Sequence, residues 1–253
     1  MRLIWVYQGE LGWGKDFKWM SVNEFKKTFS IDQAVGFVGQ IKKTLEEQAR
    51  DHPHQSDFYT GLRHVFAEID GMGKLYCGEQ GRDNTAQNSI SFATEYLGRV
   101  DPRYQKVFGL LVDMFRHGLA HTHLTKSIRF KATSNRWVTA SWGISTDVAD
   151  GSRHLVIEKS SKTFFLFWIH VPTFINDTLR AIDHFCIDLR SKGRSSRIFS
   201  RFKRGYLGTA ASFDERQSLP PTGKRPKKKK EQPVLNSYST QGIDWLRTEI
   251  QRI

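Results

Sequence analysis

Apolar residues recur at intervals of three and four through most of the first half of the chain, which is the spacing of an amphipathic helix. This pattern predicts four helices, at about residues 31–50, 57–70, 85–97 and 102–117. Ser30 and Gln33 form a capping box at the start of the first of them. Gly71 and Gly73 are expected to end the second helix, and Gly98 the third, because glycine commonly terminates helices.

The period changes from helical to alternating after about residue 128. Alternating apolar positions and turn residues predict three or four strands between 128 and 170, arranged as an antiparallel meander. The last strand contains an unbroken apolar run of six residues, Phe164 to Ile169. Because every position of this run is apolar, we expect both of its faces to be covered.

The last third of the chain returns to a helical pattern and then becomes strongly basic. A helix is expected from Pro172 to about Leu189, and a short amphipathic helix at the end of the chain. The region between them is basic, and its second half, residues 218–240, is rich in Pro, Lys and Ser, a composition that is typical of disorder. The expected organisation is an N-terminal strand and loop (1–20), a helical bundle (21–190) with a sheet inserted at about 128–170, a basic aromatic segment (191–217), a disordered linker (218–240) and a C-terminal helix (241–253).

Positive charge is concentrated in one segment rather than spread along the chain. The 39 Lys and Arg residues against 26 Asp and Glu give a net charge of +13. Between Arg190 and Lys230 there are 14 basic and two acidic residues, whereas the rest of the chain is nearly neutral. Such a segment attracts polyanions, or it only keeps the protein in solution.

Several classes of protein do not fit the sequence. No apolar stretch approaches the roughly 20 residues of a membrane span, so we expect no membrane partner. The first residues are too short for a signal peptide, and two isolated cysteines, Cys77 and Cys186, do not make a disulfide framework. We therefore expect a cytoplasmic protein of one large domain or two small ones, with aromatic residues in its core and no cofactor.

The densest group of chemically useful side chains ends the fourth predicted helix. Arg116, His117, His121 and His123 fall within eight residues, with Gly118 between them. Histidine exchanges protons near neutral pH, and arginine offers a planar fork that matches phosphate oxygens. On an unbroken helix Arg116 and His121 would lie about 140° apart, so either Gly118 reshapes the backbone or two copies of the motif combine.

The segment Arg116-His-Gly-Leu-Ala-His121 resembles the R-x4-6-H motif of the HEPN superfamily, in which a polar residue often follows the arginine. The motif of that superfamily ends an amphipathic helix in an all-helical bundle. The resemblance covers six residues and a helical context of about half the chain. It implies a mainly α (α+β) fold, a HEPN-like helical bundle with an inserted antiparallel β-meander and a basic C-terminal tail.

The resemblance also implies metal-independent cleavage of RNA by a homodimer. Two motifs would meet across a groove, and the 2′-hydroxyl would attack the adjacent phosphorus to leave a 2′,3′-cyclic phosphate. His121 would be the general acid or base, Arg116 would stabilise the phosphoryl oxygens, and His117 would orient both. The setting expected for such an endoribonuclease is a bacterial toxin or defence system, with an antitoxin or regulatory protein as a further partner.

Other interpretations of the same residues stay open at this point. Arg116 and His121 are equally typical of a helix end at which basic residues satisfy carbonyl groups, in a scaffold or a non-catalytic nucleic-acid-binding protein. His117, His121 and His123 also have the spacing of a zinc site, but neither a general-base Glu nor a Cys lies beside them.

In the basic segment, Arg194, Arg197, Arg201, Lys203 and Arg204 are the residues expected to bind the RNA backbone. Aromatic residues alternate with them, at Phe199, Phe202 and Tyr206. These rings either stack on bases or form the buried face of an amphipathic helix.

Overall fold

The computed structural model describes residues 3–7, 17–51, 58–78, 85–116, 126–210 and 237–253. The chain opens with an antiparallel hairpin of β1 (Leu3–Tyr7) and β2 (Phe17–Ser21), which confirms the strand expected at the N-terminus. A short helix, α1 (Val22–Thr28), follows directly and is capped by the Ser21 hydroxyl, which accepts from the Glu24 N–H.

The helical half of the chain follows the predicted order. Its elements are α2 (Ile31–Asp51), α3 (Phe58–Cys77), α4 (Thr85–Phe92), a π-helical turn (Ala93–Leu97), α5 (Gly98–Val100), α6 (Arg103–Leu111) and a second π-helical turn (Val112–Arg116). The capping box at the start of α2 is reciprocal, because the Ser30 N–H donates to Gln33 Oε1 and the Gln33 N–H donates to Ser30 Oγ.

Three glycines that were expected to end helices lie inside helical segments instead. The helix α3 runs through Gly71 and Gly73 to Cys77, and Gly78, which follows it, has a positive φ of 73°. A Cβ at Gly73 would lie 2.6–2.7 Å from the backbone of Asn88 and Ser89, so this glycine allows α4 to pack directly against α3. Gly98 begins α5, and the side chain of Gln105 occupies the space that a Cβ at this position would need.

The sheet between residues 128 and 170 is mixed, so the predicted antiparallel meander was wrong. Its strands are β3 (Ile128–Lys131), β4 (Trp137–Ser145), β5 (Val156–Lys159) and β6 (Phe164–His170), in the order β3-β4-β6-β5. After β4, a 3₁₀-helix (Val148–Arg153) leads the chain to β5, which does not pair with β4. The next strand, β6, lies between β4 and β5 and is parallel to β4. The most apolar strand thus acquires two neighbours, which buries more of its surface.

The helices that the structure describes cover one face of this sheet. Phe165, Phe167 and Ile169 of β6 are buried in the core on this inner face. Their neighbours Phe164, Leu166 and Trp168 point to the opposite, outer face and are exposed or half-buried. The expectation that both faces of the apolar run are covered was therefore wrong, because the described helices pack on the inner face and Phe164 on the outer face is exposed.

The C-terminal third adds three helices to the same core. The helix α7 (Val171–Lys192) confirms the one expected to about Leu189, and α8 (Arg197–Ala210) packs on α3. The last helix, α9 (Ser237–Arg252), packs on α6 and reaches the inner face of the sheet. There the Trp245 ring lies 5.6 Å from Phe167. The fold is therefore mostly helical with a small mixed sheet.

Candidate functional site

Arg116 ends the second π-helical turn and is held by a carboxylate of α3. Its Nε lies 2.9 and 2.8 Å from the two carboxylate oxygens of Asp70, and its terminal nitrogen Nη2 lies 2.7 Å from Oδ2. The two side chains are only 15% and 21% exposed. The guanidinium is therefore fixed by a two-point interaction that restricts both its position and its plane.

A third element, α4, contributes to the same cluster. The Ser89 hydroxyl also hydrogen-bonds to Asp70, so the carboxylate receives donors from two directions. Ser89 reaches Asp70 because α4 passes so close to α3 at Gly73. The cluster of Asp70, Ser89 and Arg116 thus joins α3, α4 and the second π-helical turn.

The chain on both sides of the predicted motif is anchored at one point. The Lys126 N–H donates to the Met114 carbonyl at 2.8 Å, so the residues just before and just after the motif lie together. His117, His121 and His123 fall between them and outside the described residues. Of the three predicted catalytic residues, the structure therefore places Arg116, and the roles of His117 and His121 stay predictions.

The aromatic residues of the basic segment belong to the core. Phe199, Phe202 and Tyr206 are at most 1% exposed, and all three stack or pack against Phe29. The interpretation that these rings stack on bases was wrong. The alternative, an amphipathic helix with a basic outer face, is the one the structure confirms.

Two of the basic residues of α8, Arg197 and Arg204, are exposed, and two, Arg201 and Lys203, are half-buried. Arg197, Arg201 and Arg204 are four and three positions apart, so they form one stripe along α8 opposite the buried rings. Arg201 lies 5.9 Å from the Tyr76 ring, and Lys203 lies 5.3 Å from Phe199. Within the part of the chain that the structure describes, none of these four cations forms an ion pair with a carboxylate.

Arg194 precedes this stripe and has a structural contact of its own. It donates to the Phe29 carbonyl at 3.2 Å, while its side chain remains exposed. All five residues predicted to bind the RNA backbone therefore lie on one continuous stretch of the chain, with Gly193 separating α7 from Arg194.

A buried polar network that the sequence pattern did not reveal joins the sheet to the helices. Tyr104 of α6 hydrogen-bonds to His154 Nε2 at 2.7 Å and donates to Asp177 of α7 at 3.1 Å. His154 Nδ1 accepts from the His170 N–H, which leaves the ring proton on Nε2. Neither the helical pattern around Tyr104 nor the alternating pattern around His154 signals a partner in the sequence.

Burial controls the ionisation of this network. It lowers the pKa of His154 to about 3, helped by the nearby positive charge of Arg103. It also raises the pKa of Asp177, and it raises that of Tyr104 well above the ordinary value. Because His154 is only 2% exposed, the network has no access to a substrate, and its role is to fasten the sheet to α6 and α7.

The remaining candidate chemistry is limited. Burial raises the pKa of Cys186 to about 11, so its thiol is protonated at neutral pH. No three His, Cys, Asp or Glu side chains in the described ranges are arranged to hold a metal ion. Within the same ranges, none of the helices combines the length and the apolarity that crossing a bilayer requires.

Comparison with known proteins gives no independent assignment. Neither the family models, nor the curated proteins, nor the solved structures contain a match to this chain. The functional conclusion therefore depends on the residues and geometry described above.

Proposed function

We propose that this protein is a metal-independent endoribonuclease of HEPN type, with its active site at Arg116, His117 and His121. The observation that supports this most directly is the position of Arg116. Its guanidinium is held at the start of the motif by Asp70, through Nε and Nη2, and Nη1 makes no hydrogen bond with any described residue. A guanidinium has five N–H donors, so Arg116 can keep Asp70 and still donate to a phosphate oxygen.

The proposed chemistry divides between proton transfer and charge stabilisation. His121 takes the proton of the attacking 2′-hydroxyl or gives one to the departing 5′-oxygen, while His117 orients the reacting groups. Arg116 donates to the phosphoryl oxygens, where negative charge accumulates in the transition state. A homodimer supplies a second copy of the motif, so that both proton transfers are served by histidines.

Substrate affinity in this proposal comes from the basic stripe of α8. Arg197, Arg201 and Arg204 lie along one side of a packed helix, opposite its buried rings. Contacts with phosphates bind RNA without sequence preference and weaken as salt is added. Affinity of this kind selects no particular sequence, which suits a toxin or defence effector that cleaves RNA generally and is restrained by an inhibitory partner.

A second candidate function is binding of RNA without cleavage. The observation that favours it is the same ion pair, because Asp70 neutralises much of the charge that Arg116 would offer to a phosphate. In that case Arg116 fixes the end of the second π-helical turn, and the basic stripe alone carries the function.

Cleavage of a labelled single-stranded RNA, with and without EDTA, separates the two candidates. We expect Arg116→Ala and His121→Ala each to abolish cleavage, and the chelator to have no effect. Arg99→Ala and His184→Ala are the controls, since Arg99 also forms ion pairs outside the motif. Full cleavage by both motif variants would exclude the proposed site, and binding by a wild-type protein that never cleaves would establish the second candidate.

The folded state of each variant is checked by thermal unfolding. Arg116→Lys covers the case in which Arg116→Ala fails to fold, because lysine keeps the charge opposite Asp70 but has no planar fork. We expect Arg116→Lys to stay folded and to lose most of its activity.

A further inference from the structure

The four-stranded sheet has an inner face packed against helices and an outer face in contact with solvent. On β4 and β6 the register places Thr139 beside Phe164, Ser141 beside Leu166, and Gly143 beside Trp168. The hydrogen bond between the hydroxyls of Ser127 and Ser141 shows that β3 contributes to this same outer face. On β5 the register places Val156 beside Trp168, so the outer face is a continuous surface formed by all four strands.

Large aromatic side chains are exposed on this outer face. Trp137 of β4 is 50% exposed and Phe164 of β6 is 37% exposed. Trp168 lies further along β6, flat against Gly143, with the Arg153 guanidinium 5.0 Å from its ring centroid. Phe164 and Trp168 are four residues apart, which is about 13 Å along a strand. Exposed apolar side chains that are grouped on one face are typical of an interaction site, so this arrangement supports a binding surface.

Positive charges surround these rings. Arg129 and Lys131 of β3 lie 5.3 and 5.8 Å from the Trp137 ring, and both are exposed. Arg136 sits at the tip of the hairpin between β3 and β4 and donates to the Lys162 carbonyl. Among the outward-facing positions of the four strands, one residue is acidic, Glu158, which the register places beside Leu166. The outer face therefore combines aromatic planes with a surplus of cations.

We propose that the outer face of the sheet binds single-stranded RNA by stacking its bases on Trp137 and Phe164, while Arg129 and Lys131 contact its phosphates. Rings and cations at this spacing match a ligand that alternates flat bases with anionic groups. A duplex keeps its bases stacked on one another and cannot offer them to these rings. This inference depends on RNA being the substrate of the proposed function, and it assigns substrate recognition to residues outside the motif.

The position of β3 connects this surface to the proposed active site. Lys126 is tied to Met114 by a backbone hydrogen bond, and Ser127, the next residue, already belongs to the outer face. Met114 is two residues before Arg116. An RNA strand lying on the outer face along β3 therefore approaches the end of the second π-helical turn, where Arg116 is held.

Fluorescence anisotropy with three matched ligands tests the inference. The ligands are a single-stranded oligoadenylate, its abasic ribose-phosphate analogue of equal charge, and a blunt RNA duplex. We expect Trp137→Ala and Phe164→Ala each to raise the Kd for oligoadenylate at least about fivefold, the loss that corresponds to about 1 kcal/mol for one stacked base. Neither substitution should change the affinity for the abasic analogue. Both side chains are exposed, so the fold should tolerate these changes.

Ile187→Ala is the control, because Ile187 is an exposed apolar residue of α7, away from the sheet. Unchanged binding of oligoadenylate by both aromatic variants would overturn the inference while leaving the proposed nuclease intact. An equal loss for oligoadenylate and for the abasic analogue would also overturn it, because stacking would then not contribute. If the wild-type protein binds none of the three ligands, the inference and the proposed function both fail.

Discussion

At the scale of single residues, Arg116 and Asp70 show how a motif side chain depends on a residue far away in the sequence. Asp70 accepts hydrogen bonds from Arg116 and Ser89, and it is mostly buried. The sequence pattern identified Arg116, because arginine and histidine at this spacing suit phosphate chemistry. It could not identify Asp70, which appears there as an ordinary acidic residue within α3.

Asp70→Asn tests how much this cluster contributes to stability. Asparagine keeps one acceptor oxygen but loses the charge, and Arg116 is then left partly buried without its counter-ion. We expect the free energy of unfolding in urea to fall by about 1–3 kcal/mol. Asp183→Asn is the control, because Asp183 pairs with Lys42 at an exposed site and should change stability by at most about 1 kcal/mol. Equal losses in the two variants would mean that the cluster is no stronger than a surface ion pair.

The buried side chain of His154 makes the free energy of unfolding depend on pH. Its pKa is about 3 in the folded state, against an ordinary value of 6.5. Between these values the unfolded chain takes up a proton that the folded protein does not, so stability falls as the pH falls through this window. The raised pKa of Asp177 acts in the opposite direction, since the folded state then binds that proton more readily than the unfolded chain.

Urea unfolding at pH 7 and pH 5 measures this effect. From pH 7 to pH 5 the free energy of unfolding of His154→Gln should fall by about 1–2 kcal/mol less than that of the wild type. The limit is set by one proton, which changes this free energy by at most about 1.4 kcal/mol per pH unit. The amide of glutamine can still bond to Tyr104, and it does not titrate. His184→Gln should follow the wild-type dependence. An unchanged slope in His154→Gln would show that His154 is not the group that resists protonation.

At the scale of elements, close packing of α3 and α4 determines where Ser89 can reach. A Cβ at Gly73 would lie 2.6 Å from the Asn88 carbonyl carbon, whereas a Cβ at Gly71 would meet nothing within 4 Å. Both glycines are inside α3, so the two positions differ in their neighbours and not in helix propensity. They form a natural pair for measuring the effect of this contact.

Gly73→Ala should destabilise the protein by more than about 2 kcal/mol, because the methyl group would push two backbones apart. Gly71→Ala should stabilise it by about 0.5–1 kcal/mol, as expected for alanine in an unobstructed helix. Thermal and urea unfolding provide the comparison. Similar stability changes at both positions would contradict the inferred close contact of α3 and α4.

The same glycines mark the limit of what periodicity predicts. Apolar spacing located α2, α3 and α7 because each buries a regular stripe, and local capping signals located the start of α2. The ends of α3 and the direction of β6 depend on contacts with residues distant in sequence. The position of β6 between β4 and β5 makes it parallel to β4, and no local pattern carries that information.

At the scale of the whole molecule, the excess positive charge lies partly on a packed helix rather than on a tail alone. Up to residue 210 the basic segment forms α7's last turn and α8, and the rings of α8 are part of the core. The last helix, α9, also buries Ile243 and Leu246 in that core. Deleting everything after α8 would therefore remove core contacts together with charge, so point substitutions are the better test of RNA binding.

Replacing Arg197, Arg201 and Arg204 with alanine removes the basic stripe without touching the buried face of α8. For a single strand, each lost phosphate contact should reduce the slope of log affinity against log salt by about 0.7, so the triple variant should be flatter by about 2. Anisotropy titrations at several salt concentrations give this slope.

The control replaces Lys43, Lys106 and Arg252, three exposed cations on other helices, and thereby removes the same net charge. Because counter-ion release requires contact with the phosphates, the control should keep the wild-type slope. Equal flattening in both variants would assign the effect to net charge, and a wild-type slope in the stripe variant would show that α8 does not contact RNA.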